Sequence, residues 1–157
     1  MADRLFLLLV KIAFLFYFLF TSKYKMVKVL ILGGVGFVGR NLATHIVENN
    51  LADFVRVCDK VLPATAHLGS PHKEAFDSDK VEYKQCNLNT QGIITPIALL
   101  YLLLIQFEAG MDKAFLLDDG KFDYVFNCAA ETKYGQTEEV YREKVLDLSK
   151  KAGETAA

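Results

Sequence analysis

The residues most able to do chemistry lie in one run, Leu32-Gly33-Gly34-Val35-Gly36-Phe37-Val38-Gly39. It contains two overlapping spacings, Gly33-x-x-Gly36-x-x-Gly39 and Gly34-x-Gly36-x-x-Gly39. A pyrophosphate bound at a helix N-terminus must approach backbone N–H groups with no side chain in the way. The first glycine of such a run permits the tight turn. The middle one admits the phosphates, and the last lets helix and strand pack closely. A second requirement is an acid about twenty residues further on, and Asp59 stands twenty residues beyond Gly39. Its carboxylate would accept hydrogen bonds from an adenosine ribose and repel a 2′-phosphate, which favours NAD over NADP. Lys60 follows directly and would soften that preference.

These groups need a strand before the glycines, a helix after them and a second strand ending at the acid. The sequence supplies all three. Val27 to Leu32 is a β-branched and leucine-rich run, as in a buried parallel strand. Val38, Leu42 and Ile46 then recur at helical spacing, with Ala43 and Val47 widening the same face. Asn49-Asn50 suits the stop, because asparagine tolerates the left-handed conformation. Phe54 to Cys58 reads as a second strand closing on Asp59, and Val81 to Cys86 as a third. Between them, Pro63 to Lys80 reads as loop with room for a short helix. Tyr124 to Cys128 is a fourth strand, entered from the turn signal Asp118-Asp119-Gly120. A final helix follows, with Thr137 as cap, Glu138 and Glu139 at its positive end and Gly153 as its stop. Its apolar face would hold Tyr141, Val145, Leu148 and Ala152. Strands alternating with helices imply an α/β fold, a Rossmann-type doubly wound parallel sheet, here truncated after about four strands.

The totals are compatible with one ordinary domain. Of 157 residues, 52% are hydrophobic and 24% charged, which excludes a disordered chain. A net charge of −1 excludes the basic footprint of a nucleic-acid binder. Cys58, Cys86 and Cys128 lie far apart, in no metal-ligand spacing, and read as small buried hydrophobes in a reducing, cytoplasmic compartment.

Two stretches break the pattern. Leu5 to Phe20 is apolar except for Lys11, and two readings of residues 1–25 stand open. One is an anchor giving membrane contact through residues 5–20. The other is a leader outside the natural protein, with translation starting at Met26. Gly92 to Phe107 is uncharged and interrupted by Pro96, a poor transmembrane span. The preferred reading makes residues 92–107 foreign to the fold, such as a translated intron. Joining Gln91 to Glu108 then leaves a normal loop and short helix before Phe115. The domain proper is therefore expected over residues 26–157.

With these motifs in order, the chain resembles the extended short-chain dehydrogenase/reductases, the NAD-dependent epimerase/dehydratase group. The resemblance covers roughly Val27 to Gln91 and Glu108 to Ala152. The family's Thr-Gly-Gly-x-Gly-Phe-x-Gly motif matches Gly33 to Gly39, with Leu32 in the threonine's place and Phe37 and Val38 inside it. The family's Asp-Leu or Asp-Val pair that holds adenine corresponds to Asn87-Leu88, where the asparagine carbonyl replaces a carboxylate. Its Ala-Ala pair beside the cofactor corresponds to Ala129-Ala130. The resemblance implies an NAD-linked epimerase, dehydratase or reductase acting on a nucleotide sugar or another small molecule. It also implies a catalytic Tyr-x-x-x-Lys pair on the helix after the fourth-strand unit, which this chain lacks. The single literal match, Tyr24 to Lys28, falls before and within the first strand. The chain stops before any fifth strand, so no catalytic residue is assigned. The alternative is a non-catalytic dinucleotide-binding module that regulates or scaffolds a partner.

Overall fold

The computed structural model describes residues 25–89 and 110–157. The apolar leader and the 92–107 insertion lie outside the described residues. Four strands form one sheet: β1 (Lys28–Leu32), β2 (Phe54–Asp59), β3 (Val81–Gln85) and β4 (Tyr124–Asn127). Their order is β3-β2-β1-β4, and every pairing is parallel. This is the α/β, Rossmann-type arrangement expected from the alternation of strands and helices.

β1 lies between two partners, which explains its unbroken apolar run. Val29 and Ile31 point to one face, packing with Val35, Ala43, Ile46, Val55 and Val57. Leu30 and Leu32 point to the other, with Cys58, Cys86, Leu88, Met111, Ala114, Leu148 and Ala152. A strand covered on both sides has no polar position to alternate with.

α1 (Phe37–Glu48) supplies Ala43 and Ile46 to the first face. It stops at Asn49, and Asn50 takes φ 51°, as its residue type suggested. The Pro63 to Lys80 loop holds a short 3-10 turn, Pro63–Thr65, and α2 (Ser70–Phe76). α3 (Gly110–Phe115) is the short helix expected before β4. Arg56, buried on β2, anchors it. Its guanidinium donates to the carbonyls of Ala114 (3.2 Å) and Leu116 and pairs with Glu82 at 2.6 Å. The rings of Phe54 and Phe122 lie 5.7 and 5.4 Å from it.

The last helical run differs from expectation in two ways. α4 (Glu138–Tyr141) starts as read, with the Thr137 side chain accepting the Val140 N–H. It then passes through a π-helical stretch, Arg142–Asp147, into α5 (Leu148–Ala156). Gly153 does not stop the helix. It keeps a negative φ and has open space around its Cα, while buried Leu148 and Ala152 hold that turn on the core. No helix among the described residues is long and apolar enough to cross a membrane.

Candidate functional site

The carboxyl ends of the four strands open onto one cleft of about 560 Å³. That volume falls within the range of small-molecule and cofactor sites. In parallel sheets ligands gather at this edge, where the strand order reverses; here β1 separates β2 from β4.

The glycine run forms the cleft's floor, and its members do different work. Gly33 turns the chain out of β1 with φ +71°, and a Cβ there would sit 2.6 Å from the Ala129 backbone. Its N–H and that of Gly34 both donate to Cys58 O, at 2.7 and 3.3 Å, stitching the loop to β2. Gly34 and Gly39 do not line the cleft. A Cβ on Gly34 would meet Val57 Cγ1 at 2.5 Å, and one on Gly39 would meet Gly33 O at 2.5 Å. These two glycines allow the helix to press onto the strand.

Gly36 is the exception. A Cβ there meets Gly33 O at 3.2 Å, a tight contact that needs a small backbone shift, and beyond it the side chain would enter the cleft. It is also the N-cap of α1 and offers no side-chain cap, and no acid stands in the first turn. The first-turn N–H groups and the positive end of the helix dipole therefore stay available to an anion. Phe37 and Val38 line the same mouth, 75% and 63% exposed.

Asp59 ends β2 on the cleft wall. Its Oδ2 accepts the Val35 N–H and its Oδ1 the Val61 N–H, both at 3.0 Å. One carboxylate thus ties the glycine loop to the segment after β2. Each oxygen keeps a second lone pair for a ligand hydroxyl. Tyr83 braces this corner, its hydroxyl lying 3.0 Å from Asp59 O and 2.9 Å from Val61 O. Burial, then the charge of Asp59, raises that phenol to about 12, so it stays a protonated donor.

Asn87 and Leu88 line the cleft after β3, and Ala129 and Ala130 line it after β4. Leu88 is buried at 7% exposure, while Asn87 is exposed. Gly110 sets their position, since a Cβ there would collide with Asn87 O. The Asn127 side chain accepts the Ala129 N–H at 3.1 Å, fixing the turn that carries the alanines past Gly33.

Nine of the eleven sequence-designated residues therefore share one cleft, all but Gly34 and Gly39. The sequence marks the polar run Glu131 to Gln136 after the fourth strand as near the ligand edge, without a catalytic role, and gives no sign of Lys144; Lys144 and Glu131 line the far side as an ion pair at 3.5 Å. The Lys133 N–H, then Lys144, holds the Glu131 carboxyl below its ordinary range. Glu131 lies in the polar run after β4, a visible signal. Lys144 reaches the cleft from the π-helical stretch, which no spacing rule anticipates.

No family model matches the chain, and no curated protein matches it. Solved structures do. One is uronate dehydrogenase from Agrobacterium tumefaciens, a point variant complexed with NAD, at TM-score 0.51 and 14% identity over 83% of this chain. Another is the terminal R domain of the myxalamid biosynthetic pathway, at TM-score 0.44 and 10% identity over 83% of this chain and 33% of its own. At such identities the likeness is one of fold. The chain spans 36% of the uronate dehydrogenase chain.

Proposed function

We propose that this chain is the cofactor-binding portion of a dehydrogenase-, reductase- or epimerase-type protein and binds a nicotinamide dinucleotide, NAD in preference to NADP. One observation carries the reading. An uncapped helix N-terminus, a strand-end carboxylate and two small or amide-bearing turns face a single cleft at the carboxyl edge of a parallel sheet. Gly33, Gly36, Phe37 and Val38 would take the pyrophosphate, with Gly34 and Gly39 shaping the loop from beneath. Asp59 would take the adenosine ribose and Asn87 and Leu88 the adenine. Ala129 and Ala130 would admit the remainder of the molecule toward Glu131 and Lys144. The NAD-complexed fold neighbour is consistent with this placement. When bound, nicotinamide supplies the capacity to accept or return a hydride. This chain's own residues bind and orient it.

The second reading is a non-catalytic module that binds the same dinucleotide in the same cleft. Lys28, the lysine of the literal match, starts β1 at the end of the sheet away from the cleft. Both readings require the same first test, calorimetric titration of the chain with NAD and with NADP. One-to-one binding with NAD the tighter ligand supports the proposal; no saturable heat with either would overturn it.

A further inference from the structure

The sheet order lays the cleft out in one direction. Asp59 ends β2 and Asn87 follows β3 on one side, and the glycine loop after β1 lies in the middle. Ala129, Ala130, Glu131 and Thr132 follow β4 on the other side. A dinucleotide with its adenosine at Asp59 and its pyrophosphate at the N-terminus of α1 therefore has its nicotinamide half on the β4 side. Of the charged residues lining the cleft, Asp59 and Lys60 lie at the adenosine side, Glu131 and Lys144 at the nicotinamide side.

Those last two are held differently. The Glu131 side chain is 16% exposed, and its Oε1 accepts the Lys133 N–H at 3.1 Å, so the backbone fixes the carboxylate. The same N–H, more than Lys144, keeps that carboxyl ionised. The Tyr141 hydroxyl donates to Lys133 O at 2.7 Å and straps this run to the helix that carries Lys144. Lys144 itself is 37% exposed and approaches only the other oxygen, Oε2, at 3.5 Å. It arrives from the π-helical stretch, a geometry that recurs at functional sites.

We propose that Glu131 and Lys144 set the preference of the cleft between the oxidised and the reduced dinucleotide. The nicotinamide ring carries a positive charge when oxidised and none when reduced, while the rest of the molecule keeps its charge. A fixed carboxylate beside the ring therefore attracts the oxidised form alone, and an ammonium there repels it alone. With both present the pair is close to neutral, and the two forms bind with similar strength. Lys144 is the counterweight: it offsets the pull of Glu131 on the oxidised ring, which would otherwise hold that form the more tightly. The inference rests on the cofactor reading and adds to it the residues that tell the two redox forms apart.

The test titrates the full chain with oxidised NAD and with NADH by calorimetry, in the parent and in two variants. Lys144→Met keeps the aliphatic stem and leaves Glu131 without its counterion. Glu131→Gln keeps an acceptor for the Lys133 N–H and leaves Lys144 without its partner. In Lys144→Met the ratio of the NADH Kd to the oxidised NAD Kd should rise about three- to tenfold. In Glu131→Gln the same ratio should fall below the parent value by a comparable factor. The double variant should return it to within about twofold of the parent, because neither charge remains. A purely structural role would weaken both redox forms alike and leave the ratio constant. A constant ratio in both single variants, or a shift in the same direction in both, overturns the inference while leaving the cofactor reading in place. A parent chain that binds neither form overturns the cofactor reading and this inference with it.

Discussion

Gly36 and Asp59 divide the demands of the cleft between space and charge. Gly36→Val places a branched side chain where a pyrophosphate would lie, against a tight contact with Gly33 O. NAD affinity should fall at least about tenfold, equivalent to about 1.4 kcal/mol, with cooperative thermal unfolding retained. Unaltered affinity in a titration would remove the glycine loop from the site. Asp59→Asn keeps the shape but loses the charge and one of the two acceptors that hold the Val35 and Val61 N–H groups. A hydrogen bond to a charged group contributes about 1.5–3 kcal/mol, so NAD should bind roughly ten- to a hundredfold more weakly. NADP should lose less, because repulsion of its 2′-phosphate disappears; a ratio of the two affinities that stays constant would contradict the assignment. Both residues were legible in the sequence, since their spacing along one chain is the requirement itself. Tyr83 and Lys144 were not. Each depends on which strand lies beside which, and in what register, and residue spacing along one chain does not encode that.

At the scale of elements, the strands and α1 follow from periodicity because burial alone determines them. β1 is apolar throughout because it is covered on both faces. The helix after β4 resists the same reading. Gly153 looks like a stop, yet the packed neighbours Leu148 and Ala152 outweigh a glycine's weak helix propensity. The π-helical stretch leaves no mark in the residue types, and it carries Lys144 to the cleft. α3 is held by an interaction equally hidden from the sequence, since Arg56 reads there as one charge inside a strand. Its guanidinium satisfies two carbonyls at the end of α3 and pairs with Glu82. Arg56→Met should preserve the packing volume but leave those carbonyls without a donor. The expected loss is about 1.5–3 kcal/mol in urea denaturation. A midpoint matching the parent would show that the clamp adds nothing to stability.

Over the whole molecule, the sheet is best covered at its centre and poorest at β4. Among the described residues β4 pairs only with β1, and Tyr124 and Phe126 are 59% and 39% exposed. An open edge bearing aromatic side chains invites pairing with another chain. Phe126→Lys should therefore reduce concentration-dependent self-association in sedimentation velocity while leaving NAD affinity within about twofold, a change under 0.5 kcal/mol. Association that persists unchanged would place the contact elsewhere.

One cleft at the carboxyl edge of the sheet is proposed to hold the dinucleotide. Amide chemical-shift mapping during an NAD titration addresses it residue by residue. Binding there should give saturable shifts at Gly33 to Val38, at Asp59 to Val61, and at Asn87 and Ala129, with α2 silent. Saturable shifts confined to other surfaces, or none at all, would contradict it.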